Sequence, residues 1–227
     1  VHTYGVVKYA GEIARKMECS GEDVELAELI GLLHDIGRFE QIRRFHSFEP
    51  GTMDHAMYGA DLLFGPEQMI RRFVKDPSFD QLICVAIAKH SDFKLEGIED
   101  ERTLLHARLI RDADKLDNCR VKLEESMETL LDMDEKTVGA SPISPKVWES
   151  CKAEESVLSA DRKTGMDYWM SYLALYFDIN FLETYQIIKE QDYIRRIAER
   201  VPYSREDTKE KVAYTVKKLE EKMNIQP

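Results

Sequence analysis

The sequence predicts an all-α protein. Nearly every apolar stretch repeats at spacings of three and four residues, strand signals are almost absent, and Gly or Pro falls between the periodic stretches. At 227 residues the chain is long enough to bury a substantial core as one large domain or as a domain with an elaboration.

Taken in order, a first helix is expected over about residues 2–18, with Val6, Tyr9, Ala10, Ile13 and Met17 on one face. "SGEDVELAELIGLL" reads as a helix start followed by a buried stripe, and it runs into "LLHDIGRFEQ". The ordinary reading of His34-Asp35 there is a helix C-terminus, with a histidine near the dipole and Gly37 as the cap. The sharper reading is half of a metal site. Short helices follow at 38–44, 53–64 and 66–73, with "HSFEPG" as the intervening loop. "SFDQLICVAIAKH" is a strongly apolar helix, and residues 101 to about 131 form a long one.

Between about 132 and 165 the composition shifts toward turn formers, in "DMDEKTVGASPISP" and "LSADRKTG". These predict loops around a short helix near Trp148. A helical, aromatic-rich segment comes next, and a charged helix from Ser204 repeats Val212, Val216, Leu219 and Met223 as a narrow docking stripe. The aromatics between Tyr168 and Tyr185 read as core packing rather than a ligand cage, since aromatics at helical spacing bury one another.

The net charge of −11 argues against general nucleic-acid or anionic-membrane binding, both of which need a basic face. A small phosphorylated ligand remains compatible, because bound divalent cations reverse the local charge. Cys19, Cys84, Cys119 and Cys151 lack C-x-x-C spacing, and nothing reads as a signal peptide or a membrane span. A reduced, cytoplasmic setting is the expectation. The sequence opens on Val1-His2 rather than Met, so the natural N-terminus is expected upstream.

Four of the six histidines fall on the apolar faces of separate predicted helices. His2 lies one turn before Val6, His34 lies with Ala27, Ile30 and Gly31, and His55 lies with Tyr58, Gly59, Leu62 and Leu63. His90 follows Ile83, Ala86 and Ile87. One inward histidine is ordinarily a satisfied core residue. Four facing one interior, joined by carboxylates, are more economically ligands of a shared cation. His46 and His106 read as surface residues. "IRDADKLDN" adds Asp112, Asp114 and Asp117 on an otherwise apolar helix, where a carboxylate needs a cation or donors such as Arg108, Arg111 or Lys115. Periodicity does not choose between Asp112 and Asp114.

The order His2, His34-Asp35, His55, His90, Asp114 resembles the H…HD…H…H…D signature of HD-domain metal-dependent phosphohydrolases, and the "ADK" around Asp114 resembles that family's last-ligand segment. The resemblance implies an HD-domain helical core over 1–125 and a helical C-terminal extension, 126–227, packing on it as one continuous unit. It implies that His2, His34, Asp35 and Asp114 hold one metal, that His55 and His90 hold a second, and that Asp35 bridges both. The chain departs from the cyclic-dinucleotide branch: "KHSDFKLEG" stands where that branch shows HHE followed by G-Y-P, which makes cyclic di-GMP an unexpected substrate.

Imidazole and carboxylate ligands without thiolate suit divalent Mn, Fe, Co, Ni or Zn. Two such cations, about 3.5–4 Å apart, activate a water and clamp a phosphoryl oxygen. Arg38, directly after the HD turn, suits a non-bridging phosphate oxygen through its planar fork. Lys115 is a second phosphate-binding candidate unless Asp117 holds it as an ion pair. The expected activity is hydrolysis of a phosphomonoester or phosphodiester in a small molecule, foremost a nucleotide. The rivals are a mixed-valence di-iron oxygenase on the same ligands and a non-catalytic module binding metal and nucleotide.

Overall fold

A computed structural model describes residues 2–47 and 51–225. Among these residues the secondary structure is helical, with no strand. The α-helices are α1 (His2–Lys16), α2 (Gly21–Leu33), α3 (Arg38–Phe45), α4 (His55–Phe64), α5 (Asp80–Lys89) and α6 (Glu101–Glu124). They continue as α7 (Met127–Leu131), α8 (Glu135–Ala140), α9 (Pro145–Lys152), α10 (Gly165–Ala174), α11 (Leu182–Glu190), α12 (Tyr193–Glu199) and α13 (Glu206–Ile225). No described helix is long and apolar enough to cross a membrane. The chain divides into two compact units between Asp114 and Lys115, inside α6.

In the first unit α1 packs on α2. Val6, Ala10, Ile13 and Ala14 of α1 are buried, as are Leu26, Ala27, Ile30 and Leu33 of α2. Fully burying a Val, Leu or Ile side chain contributes about 1.5–3 kcal/mol. α1 stops at Lys16 because Glu18 turns left-handed (φ 57°), so Met17 does not complete the stripe. Ser20 caps α2 by accepting from Asp23 N at 3.1 Å, and Asp54 caps α4 by accepting from Met57 N at 2.9 Å. α4 in turn packs on α5, burying Ala56, Ala60 and Leu63 with Ile83, Ala86 and Ile87. The expected helix over 66–73 is a short 3-10 turn, Met69–Arg72. The "HSFEPG" loop lies partly outside the described residues.

The second unit differs most from expectation. The long helix ends at Glu124, and Ser126 caps a separate α7 by accepting from Thr129 N at 3.1 Å. Within 132–165 there are two helices rather than one, because Asp134 accepts from both Lys136 N and Thr137 N and starts α8. The buried carboxylate of Asp167 then gathers the segment, accepting from Ser144 N (2.7 Å), Ser144 Oγ (2.6 Å), Lys163 N (2.9 Å) and Thr164 N (3.1 Å). Trp169, Tyr176, Phe177 and Tyr185 are buried, as core packing predicts. α13 buries Thr208, Val212, Thr215 and Leu219, while Val216 and Met223 stay half-buried, so its stripe is rotated from the apolar one.

Candidate metal centre

All six residues of the predicted ligand set converge within the first unit. Four of the five elements involved present them from helix ends: His2 opens α1, His34-Asp35 follow α2, His55 opens α4 and His90 closes α5. Asp114 projects from the middle of α6. The His34–Gly37 turn continues directly into α3 through Ile36 N to Leu33 O (3.0 Å) and Arg38 N to Asp35 O (2.9 Å). Gly37 is not a left-handed cap, since its φ is −68°. A Cβ there would stand 2.1 Å from His55 O and 3.0 Å from Gly59 N. The glycine is needed because the turn lies against the start of α4, and that contact brings Asp35 to His55.

Asp35 is the hub. Its Oδ2 lies 3.6 Å from His34 Nε2, and its Oδ1 lies 3.2 Å from His55 Nε2 and 3.6 Å from His90 Nε2. The two oxygens thus face different partners, as a bridging carboxylate requires. His2 Nε2 meets Asp114 Oδ1 at 3.1 Å. Ligating atoms of His2, His34 and Asp114 lie within 4.8 Å of one another, and so do those of His34, Asp35 and His90.

The ring orientations fit a cation. His34 Nδ1 is 2.8 Å from Gly31 O and His90 Nδ1 is 2.7 Å from Ile87 O. A carbonyl only accepts, so each Nδ1 carries a proton and each ring aims its Nε2 into the cluster. His34 Nε2 is fully buried and has no hydrogen-bond partner. His55 and His90 bring their Nε2 atoms to 3.2 Å. A lone pair left unpaired in the interior costs free energy, and a metal ion removes that cost.

Electrostatics agree. Burial pushes His34 and His55 below the ordinary imidazole value, against the pull of Asp35. Burial also acts to raise Asp35 and Asp114, but the adjacent imidazoles, His55 and His90 for the first and His2 for the second, outweigh it and hold both carboxyls low. Neutral imidazoles beside ionised carboxylates are the protonation states that metal binding needs. Access is one-sided. The side chains of His34, His55 and His90 are 0%, 8% and 2% exposed, whereas those of His2, Asp114 and Asp35 are 31%, 29% and 20% exposed.

Residues 1–119, more than half of the chain, match the family model of the HD domain. The chain belongs to the HD-domain family. That family comprises metal-dependent phosphohydrolases that typically bind divalent metals. No curated protein and no solved structure matches the chain.

In this HD domain Arg38 sits at the cluster, its Nε 3.3 Å from Asp35 Oδ1 and its Nη1 donating to Gln41 Oε1 at 2.9 Å. Gln41 is fully buried and donates onward to Thr52 Oγ1 at 2.9 Å. Lys115 donates to Asp178 Oδ2 at 2.7 Å and to Asp178 O. Asp117 pairs with Arg120 at 2.8 and 3.0 Å.

His106 is not a surface residue. It is fully buried, with Nε2 3.0 Å from Asp23 Oδ1. That carboxylate also accepts from Ser20 Oγ and Arg102 Nε, which help lower it to about 2 against the raising effect of burial. Gln41 escaped the sequence, and Arg111, expected only as a donor to the carboxylates of its own helix, also donates through Nη1 to His90 O and Asp92 O. Arg111 stands on the inward face of α6 one turn before Asp114, and an arginine in that register is a signal that sequence could have offered. His46, the left-handed end of α3, is exposed as expected.

Proposed function

We propose that this HD domain hydrolyses a phosphomonoester or phosphodiester of a small molecule, foremost a nucleotide, with two divalent ions. Of these, His2, His34, Asp35 and Asp114 hold the first, and His55 and His90 share Asp35 with the second. The observation that carries this reading is Asp35, whose two oxygens face different histidines within 3.6 Å. When bound, the ions would supply Lewis acidity for a phosphoryl oxygen and lower the pKa of a bound water.

The chain's own residues do the rest. Backbone bonds to Gly31 and Ile87 hold two imidazoles in the ligating tautomer before any metal arrives. Substrate approaches over the His2–Asp35–Asp114 side, the more exposed part of the cluster. Arg38, 28% exposed and anchored to Asp35, directs its guanidinium to a non-bridging phosphate oxygen. Lys115 is the weaker candidate, since Asp178 engages its ammonium. Phe39, directly after Arg38 and 78% exposed, offers a face for stacking on a nucleobase.

The test is turnover of a nucleotide panel by Mn-loaded protein under strict anaerobiosis, with elemental analysis alongside. Release of phosphate or of nucleoside monophosphate, with two ions per chain, is expected. Arg38→Ala should raise KM or lower kcat without removing metal. Inert Mn-loaded protein, with O₂ consumed by the iron-loaded form, transfers the site to oxygenase chemistry. Tight nucleotide binding without turnover of any kind leaves a regulatory module.

A further inference from the structure

Arg111 is 6% exposed, and a guanidinium so far from water is tolerated only when its donors are satisfied. Its Nη1 donates to His90 O at 3.2 Å and to Asp92 O. His90 is the C-cap residue of α5. Its carbonyl therefore belongs to the last turn, where no helical N–H serves as partner and the negative end of the helix dipole gathers. A single arginine nitrogen serving two carbonyls fixes the backbone on both sides of Ser91. The 2.7 Å bond from His90 Nδ1 to Ile87 O is separate: it sets the rotation of the ring, not the position of the backbone that carries it.

Arg111 and Asp114 lie three residues apart on α6, hence on one face and about 4.5 Å apart along the axis. One rigid helix thus places a carboxylate ligand directly and holds the backbone of a histidine ligand on another helix through Arg111. We propose that Arg111 is a positioning residue for the ion of the Asp35–His55–His90 half of the centre. This rests on the two-ion reading above. The alternative is a plain helix cap, which would loosen the whole unit when lost and would not prefer one ion.

The experiment is Mn(II) titration of the metal-free full chain, followed by calorimetry and by the electron paramagnetic resonance of free Mn(II). Four proteins are compared: wild type, Arg111→Gln, His55→Ala and the double variant. Loss of a group orienting a ligand typically weakens a metal about 10–100-fold. Arg111→Gln should therefore weaken one of two ions at least tenfold and leave the other unchanged. In the His55→Ala background, where one ion remains, adding Arg111→Gln should not alter its affinity.

Equal weakening of both ions, or weakening of the ion that survives in His55→Ala, reduces Arg111 to a general cap and overturns the proposal. So does Arg111→Gln with both affinities at the wild-type value. If Arg111→Gln does not fold, Arg111→Lys decides by the same criterion, since a lysine keeps the charge but loses the planar fork. Wild type binding fewer than two ions is a separate result, and it removes the two-ion reading itself.

Discussion

Replacing Gly37 by alanine tests whether the HD turn is held where it is by backbone contact. The new Cβ would lie 2.1 Å from His55 O, whereas ordinary contact begins near 3.4 Å. Both the obstacle and the carrier are backbone, so no rotamer change relieves the clash, and the two segments must part by about 1.3 Å. The same movement opens the 3.2 Å separation of His55 Nε2 and Asp35 Oδ1. Overpacking of this kind costs about 1–3 kcal/mol. In a chain of this size each kcal/mol lowers Tm by about 2–4 °C.

Two other glycines calibrate the effect. At Gly59 a Cβ would meet Gly37 N and Ile36 Cγ2 at 3.2 Å, a mild compression, and at Gly21 it would meet nothing within 4 Å. Thermal melts with and without Mn(II) should therefore rank Gly37→Ala well below Gly59→Ala, with Gly21→Ala at or slightly above wild type. The metal-dependent rise in Tm should shrink most in Gly37→Ala. If Gly37→Ala melts with wild type and keeps the full metal-dependent rise, the close approach of the HD turn to α4 is not what brings Asp35 to His55.

Three further outcomes are expected. Asp35→Asn should abolish turnover with an intact helical circular-dichroism signal, because an amide cannot bridge two cations; near-normal activity removes Asp35 from the hub. Ions that bind only the folded chain add about 2.7 kcal/mol at a hundred times their Kd, and His34→Ala should largely erase that gain in melts; an undiminished gain would place the metal elsewhere. In EDTA, stability should fall with pH below about 6.5, because His34, His55 and His106 have folded pKa values depressed by burial and the unfolded chain takes up protons first. Denaturant midpoints flat from about pH 7.5 to about pH 5.5 would contradict neutral buried imidazoles.

Helical periodicity is a local property, and what it reports was legible from residues alone. The inward registers of His34, His55 and His90 needed only the apolar neighbours on their own helices, and all three side chains are buried. The second unit was less legible where short capped helices stand in place of loops. One side chain, Asp134, starts α8 among turn formers, and one buried carboxylate, Asp167, ties down its flanks. Periodicity could not choose between Asp112 and Asp114, because from Leu109 to Asp117 only Asp114 is not buried and α6 has no solvent face there to break the symmetry.

By itself, then, the sequence determined the helical class, the inward histidines and, through their order, the resemblance to the HD family. Tertiary structure alone decided the partners. His106 meets Asp23 across 83 residues of chain, Lys115 meets Asp178 across 63, and Gly37 meets the backbone of His55. Each of these contacts depends on how separate helices cross, and a charge or a glycine carries no mark in sequence of the distant group that the crossing brings to it.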